Sequence, residues 1–298
     1  MGRIIMILSY EEFCDEFKKA VFEAAKDVPA VRAVEVRQLY KSNRGWTEGI
    51  SLEIDGMNIA PVIYQYEAYE RYRTDSCVSM LAADMVKSAV AAAMGGTGFT
   101  PEEICPENAA KCLFLQMLNA EKNPALADSC AHLVLFDLIA VPRWKMNGGS
   151  IIVSREFQEK YLGFSDEKTI KTALANTLSC NYSLRGLSEY IYELAGIDRP
   201  VSGDRIFLVL GEEMISGACA MLSGKMLGRI CRTTGGSYYV IPSSVHELII
   251  VPEEVADDPG ALKSICREVN STVLEPDDFL SDNVYRYDRN TEELSKVP

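Results

Sequence analysis

A chain of 298 residues, with 48% hydrophobic and 24% charged side chains, can bury one large or two small cores and is too ordinary in composition for wholesale disorder. Its formal net charge of −13, from 43 acidic against 30 basic residues, argues against a broad nucleic-acid surface, which needs clustered cations, and disfavours anionic membranes. Nine cysteines spread evenly without a C-x-x-C pair, beside only two histidines, lack the usual zinc spacings and point to a reducing compartment.

The first eight residues hold one cation and five consecutive apolar residues, short of the roughly seven or more in a signal-peptide core. No run approaches the roughly 20 apolar residues of a membrane span, so the expected location is cytoplasmic. Ser9-Tyr-Glu-Glu12 reads as a capping box, and Phe13, Phe17, Ala20, Val21 and Ala24 then follow helical spacing. Pro29 closes that helix. Val34 and Val36 alternate with Glu35 and Arg37 in a strand, and Ser42-Asn-Arg-Gly45 turns the chain. Ile50, Leu52 and Ile54 mark a second strand, with the Asp55-Gly56 hairpin signal leading to 59–64. Tyr66, Tyr69 and Tyr72 lie on one face of a short helix, better explained by packing on this meander than by a ligand. Ser76 caps a further helix through Val78, Leu81, Met85, Val86 and Ala89, ended by Gly95-Gly-Thr-Gly98, a candidate hinge. Those glycines lack the Lys and Ser/Thr of a phosphate loop and follow a helix instead of opening one.

Beyond the hinge, 112–118 and 131–146 read as strands separated by the polar turn 119–124, and Asn147-Gly-Gly149 turns into Ser150-Ile-Ile-Val153. Ser165 caps a helix whose stripe is Ile170, Leu174 and Leu178, and 184–194 reads as a further helix. A strand at 205–210, a helix at 218–232, two strands around Pro242 and a helix through Ala261, Leu262, Ile265 and Val269 complete the pattern. The tail at 290–298 is polar and expected to fray. The link at 241–247 is too short for a parallel crossover, so the fold class is α+β with mixed, largely antiparallel sheets and packed helices. The expected organisation is residues 1–96 (helix, antiparallel meander and helices) followed by a larger mixed module over 97–298.

Several blocks carry a resemblance. They are Ser9-Tyr-Glu-Glu-Phe13, Val34-Glu-Val36, Asn58-Ile-Ala-Pro-Val-Ile-Tyr64, Asn119-Ala-Glu-Lys-Asn123 and Gly149-Ser-Ile-Ile-Val-Ser154. Near the end come Tyr239-Val-Ile-Pro-Ser-Ser-Val-His-Glu247, Glu268-Val-Asn270 and Leu280-Ser-Asp-Asn-Val-Tyr-Arg-Tyr-Asp288. With these the chain resembles, over nearly its whole length, an uncharacterised bacterial domain-of-unknown-function family frequent in anaerobic gut bacteria. The resemblance implies a soluble intracellular protein of single-family architecture and carries over no catalytic role. The glycines at 95–98 and the many cysteines are departures from it.

Three constellations have the residue types for chemistry. Ser244, His246 and Glu247 follow the Pro242 turn and are the candidate catalytic group. A hydrolase needs serine Oγ at an imidazole nitrogen and a carboxylate to orient the ring. In an extended strand Glu247 points away from His246, and Ser244 shares its face at roughly 6–7 Å between Cα atoms. The competing account has the serines and histidine hydrogen-bonding locally to shape the turn. His132 opens the strand containing Asp137, a carboxylate among apolar neighbours that needs a partner such as Arg143 or Arg155. Metal binding by the two histidines with carboxylates depends on distances that spacing does not give. Tyr285, Arg286 and Tyr287 form a candidate binding segment able to dock as an edge strand on its own domain or on a partner.

No cofactor fingerprint, P-loop or Gly-x-Ser-x-Gly elbow is present, so no cofactor is expected. The expected function is non-catalytic protein binding or regulation, with a protein partner and neither nucleic acid nor membrane. The alternative is a hydrolase-type enzyme centred on Ser244 and His246.

Overall fold

A capping box opens the first helix, α1 (Tyr10–Lys26): the Glu12 amide donates to Ser9 Oγ, and the Ser9 amide donates back to the Glu12 carboxylate at 3.0 Å. The computed structural model describes residues 7–57, 60–74, 77–95, 103–146, 149–197, 203–212, 216–242, 244–256, 258–272 and 274–298. The Ser76 cap, the glycines at 96 and 98, the Asn147-Gly148 turn, Asn58-Ile59 and Ser243 lie outside the described residues. The chain forms two units, 1–41 with 45–103, and 42–44 with 104–298.

In the first unit, strands β1 (Val31–Lys41), β2 (Gly45–Ile54) and β3 (Val62–Tyr64) pair antiparallel in that order. Helices α2 (Gln65–Tyr72) and α3 (Val78–Gly95) follow. The α1 stripe Phe13, Phe17 and Val21 meets Ile50, Leu52 and Ile63 from the sheet and Val86 from α3, all buried. Phe13 and Phe17 stack at 5.1 Å. The tyrosine stripe serves this packing: Tyr72 is buried, and Tyr69 donates its hydroxyl to the Leu8 carbonyl at 3.0 Å. By length and composition α3 is apolar enough to cross a membrane, which revises the expectation that no segment comes near a span. Leu81, Ala82, Val86 and Val90 of this helix are buried in the core, whereas Met80 and Met94 are exposed.

The second unit holds two antiparallel sheets. After α4 (Ala109–Cys112), β4 (Leu113–Asn119) pairs along one side of β6 (Leu138–Met146), while β5 (Leu133–Leu135) and β7 (Gly149–Ile152) share the other. The helix α5 (Pro124–Ser129) fills the interval between β4 and β5. The 131–146 segment, expected as one strand, is thus a hairpin. Phe136 takes φ +59°, a left-handed conformation that reverses the chain and places Leu135 opposite Leu138.

Next, α6 (Arg155–Phe157) runs through a π-turn at Gln158–Leu162 toward α7 (Asp166–Ser179), capped by Ser165. The buried face of α7 is Thr169, Ala173 and Thr177, one position off the expected stripe, and Leu178 is exposed. Small residues there let the helix approach β4, where Thr177 Oγ1 accepts the Leu115 amide at 2.8 Å.

The six-stranded sheet runs β13-β12-β10-β11-β9-β8, antiparallel throughout: β8 (Ser183–Gly186), β9 (Phe207–Leu210), β10 (Tyr238–Ile241), β11 (Glu247–Pro252), β12 (Tyr285–Asp288) and β13 (Glu293–Lys296). The expected 184–194 helix is therefore strand β8 followed by α8 (Leu187–Leu194), whose first amides are capped by Asp204. The 218–232 helix divides into a 3₁₀ segment, Gly217–Leu222, and α9 (Gly224–Thr234), with Ser223 capping the break. The helix α10 (Pro259–Thr272) buries Cys266. Instead of fraying, the tail forms β13 and covers one edge of β12. Its polar sequence suits an outermost strand, where charge discourages further pairing.

Candidate functional site

Antiparallel pairing of β10 with β11, from Tyr238 opposite Pro252 to Ile241 opposite Ile249, sets the frame for the Pro242 bend. Ser244 is buried, bridges to Phe279, and its Oγ accepts the His246 amide at 2.9 Å. The His246 side chain is 62% exposed, and its Nε2 lies 2.9 Å from Asp278 Oδ1. Glu247, the residue beside it in sequence, does not hold the ring. Burial pushes the Glu247 carboxyl above the ordinary carboxylate range, with the Ser244 hydroxyl pulling partly back. From behind, the Gly217 amide donates to the His246 carbonyl at 2.7 Å. A Cβ at 217 would come within 2.3 Å of the Val209 carbonyl oxygen and 2.7 Å of that of His246, so this approach requires glycine.

Among the described residues no hydrogen bond joins Ser244 Oγ to the imidazole. Its oxygen accepts from the backbone in the manner of a Ser-turn, and the hydroxyl also acts on the Glu247 carboxyl. The ring has an orienting carboxylate and solvent access, and among the described residues no serine hydroxyl bonds to it. Among the described residues the nucleophile–base contact that acyl transfer needs is not formed.

Asp278 belongs to a segment that gathers side chains from across the second unit. The Asn43 side-chain amide donates to the carbonyls of Asp277 (2.9 Å) and Phe279 (2.6 Å), and Arg44 pairs with Asp277. Asn119 donates to the Leu280 carbonyl at 3.0 Å, and Asn123 donates to Asn43 Oδ1 and to the Asn119 carbonyl, each at 2.8 Å. The Lys122 ammonium sits 3.7 Å above the Phe279 ring. Asn270 donates to the Ser281 carbonyl (3.0 Å) and to Asp282 (2.8 Å).

Asp137, in the β5–β6 turn, completes this knot. Its carboxylate accepts from the Tyr285 hydroxyl (2.6 Å), the Ser281 hydroxyl (2.7 Å) and the Asn283 amide (3.0 Å), and Lys296 lies 3.7 Å away. Burial opposes its charge, but the three donors outweigh that and hold it below the usual carboxylate range. Neither arginine expected for it is used: Arg143 donates to Gln116 and to the Ser150 hydroxyl and carbonyl, and Arg155 pairs with Asp166. Arg143 lies six residues from Asp137 along extended chain, at roughly 3.3 Å per residue, which is beyond side-chain reach.

Tyr285 and Tyr287 are buried, on a strand flanked by β10 and β13, and Tyr287 stacks on Tyr238 at 5.0 Å. Arg286, on the opposite face, pairs with Glu253 at 2.9 Å and Asp288 at 2.6 Å. The segment docks on its own sheet as an interior strand, not an edge. His132 Nδ1 sits 3.2 Å from the Cys130 carbonyl. Among the described residues no three His, Cys, Asp or Glu side chains gather as a metal site.

Sequence spacing did not single out Asp278, Ser281, Asn283 or Asn43 as site residues. A signal was nonetheless present, because the blocks 119–123, 239–247, 268–270 and 280–288 that carry the family resemblance all meet at this knot. The fold defines an α+β protein of antiparallel sheets. Within that class the chain belongs to Family of unknown function (DUF5688), whose profile matches residues 10–289. No curated protein and no solved structure matches it.

Proposed function

We propose that the protein is a non-catalytic, cytoplasmic binding or regulatory factor that recognises a protein partner. One observation carries this reading: at the Pro242 bend the Ser244 hydroxyl is engaged by the His246 amide, and the ring is held by Asp278. Polar groups committed in this way hold a backbone in shape and leave a fixed surface for recognition. A second reading, a hydrolase around Ser244 and His246, draws support from the exposed imidazole and its acidic neighbour.

The two readings part on turnover. Wild type, Ser244→Ala and His246→Ala are assayed against ester, amide and phosphoester substrates, in parallel with affinity capture from the native host. The binding reading expects a reproducible partner and no hydrolysis that depends on either side chain. Hydrolysis abolished by His246→Ala in a protein that still folds sinks it.

A further inference from the structure

The acidic chain carries a concave place whose lining holds three cations and no carboxylate. Several arginines of the second unit are neutralised by neighbours: Arg44 by Asp277, Arg155 by Asp166, Arg185 by Glu189 and Glu193, Arg286 by Glu253 and Asp288. On α9 the pattern differs. Lys225, Arg229 and Arg232 stand at i, i+4 and i+7, within an arc of about 60° around the helix axis and ~10 Å along it. Among the described residues none of the three forms an ion pair. All three line a pocket of about 230 Å³ between α9 and residues 178–182, with no acidic side chain in its lining.

Further features of the pocket favour an anion. Arg229 Nη1 donates to the Tyr182 carbonyl at 2.9 Å, which fixes the guanidinium in place while leaving its other N–H groups unengaged by any described carboxylate. Ser223, whose hydroxyl caps α9, belongs to the same lining. At the rim Asn181 donates to Glu212 at 3.3 Å, so one carboxylate lies near but is not part of the lining. Three like charges converging on a hollow focus a positive potential there, opposite to the sign of the whole molecule. The hollow falls below the roughly 300–1,000 Å³ of pockets for drug-sized ligands, so its occupant is small.

We propose that this pocket binds a phosphate group, either free or as the headgroup of a small phosphorylated metabolite, with Arg229 and Arg232 as fork donors and Lys225 as a point charge. The site is independent of the Pro242 bend and of the reading given above for it.

The test titrates the full-length protein with inorganic phosphate at constant ionic strength, following backbone amide resonances of Lys225–Arg232. Glycerol 3-phosphate forms a parallel arm and separates a bare anion from a phosphoester. Saturable shifts in this stretch are expected. An Arg229→Gln/Arg232→Gln double variant should weaken the dissociation constant by about tenfold or more, since it removes two charge-assisted donors. Lys263→Gln, on α10, controls for general charge and should bind as wild type. A Lys225→Gln single variant, which leaves the Tyr182 contact intact, tests the site if the double variant unfolds, and should also bind more weakly. Shifts that do not saturate for either probe, or equal affinity in the charge-removed variants, overturn the proposal.

Discussion

The core of the first unit and the knot around residues 277–285 in the second are held by opposite means. The first is apolar: Phe13, Phe17, Val21, Ile50 and Leu52 are fully buried, and burying each large side chain is worth about 1.5–3 kcal/mol. The knot is built from Asn43, Asn119, Asn123, Asp137, Asn270 and Ser281, whose bonds join loops far apart in sequence. A typical net hydrogen bond is worth only about 0.5–1.5 kcal/mol, yet an orphaned buried donor costs about 1–3 kcal/mol. An apolar core therefore resists by volume, whereas the polar knot resists by the donors it pairs, with the buried Asn270 Oδ1 left unpartnered among the described residues.

Substitutions can break that contrast. Phe17→Ala leaves a cavity between α1 and the sheet and should cost the most, about 3–5 kcal/mol, independent of pH. Denaturant unfolding, with hydrogen exchange of α1 amides as the local readout, checks this. Asp137→Asn should cost about 1–3 kcal/mol at neutral pH by weakening charge-assisted bonds from Tyr285 and Ser281. The wild-type carboxylate has a folded pKa below its unfolded value of about 3.9. Its contribution is therefore complete above that unfolded value and is lost as pH falls through the folded one. Asp137→Asn should flatten this part of the acid limb; an unchanged limb would remove Asp137 from the account. The smallest effect is expected of Ser9→Ala, about 1 kcal/mol from the lost cap, read as faster exchange in the first turn of α1.

Local grammar was legible where the responsible residues are neighbours. The Ser9 box, the Ser165 cap, the Asp55-Gly56 turn and the alternation through Ile50 and Leu52 each write their structure within a few residues. The β5–β6 turn was hidden because Phe136, not glycine or asparagine, adopts the left-handed conformation. The α7 face was misassigned because close approach to β4 favours Thr169, Ala173 and Thr177 over the larger residues beside them. At the candidate site, the Ser244–His246 spacing could be read, but the carboxylate that meets the ring is Asp278, 32 positions away. Asp137 meets Tyr285 across 148 positions, a distance no local pattern spans.

The clamp on residue 246 has a practical corollary. Its amide is fastened by Ser244 and its carbonyl by Gly217, while the side chain stands in water. A spectroscopic label attached there would stand on a backbone anchored on both sides, placed to report the arrival of a visiting molecule.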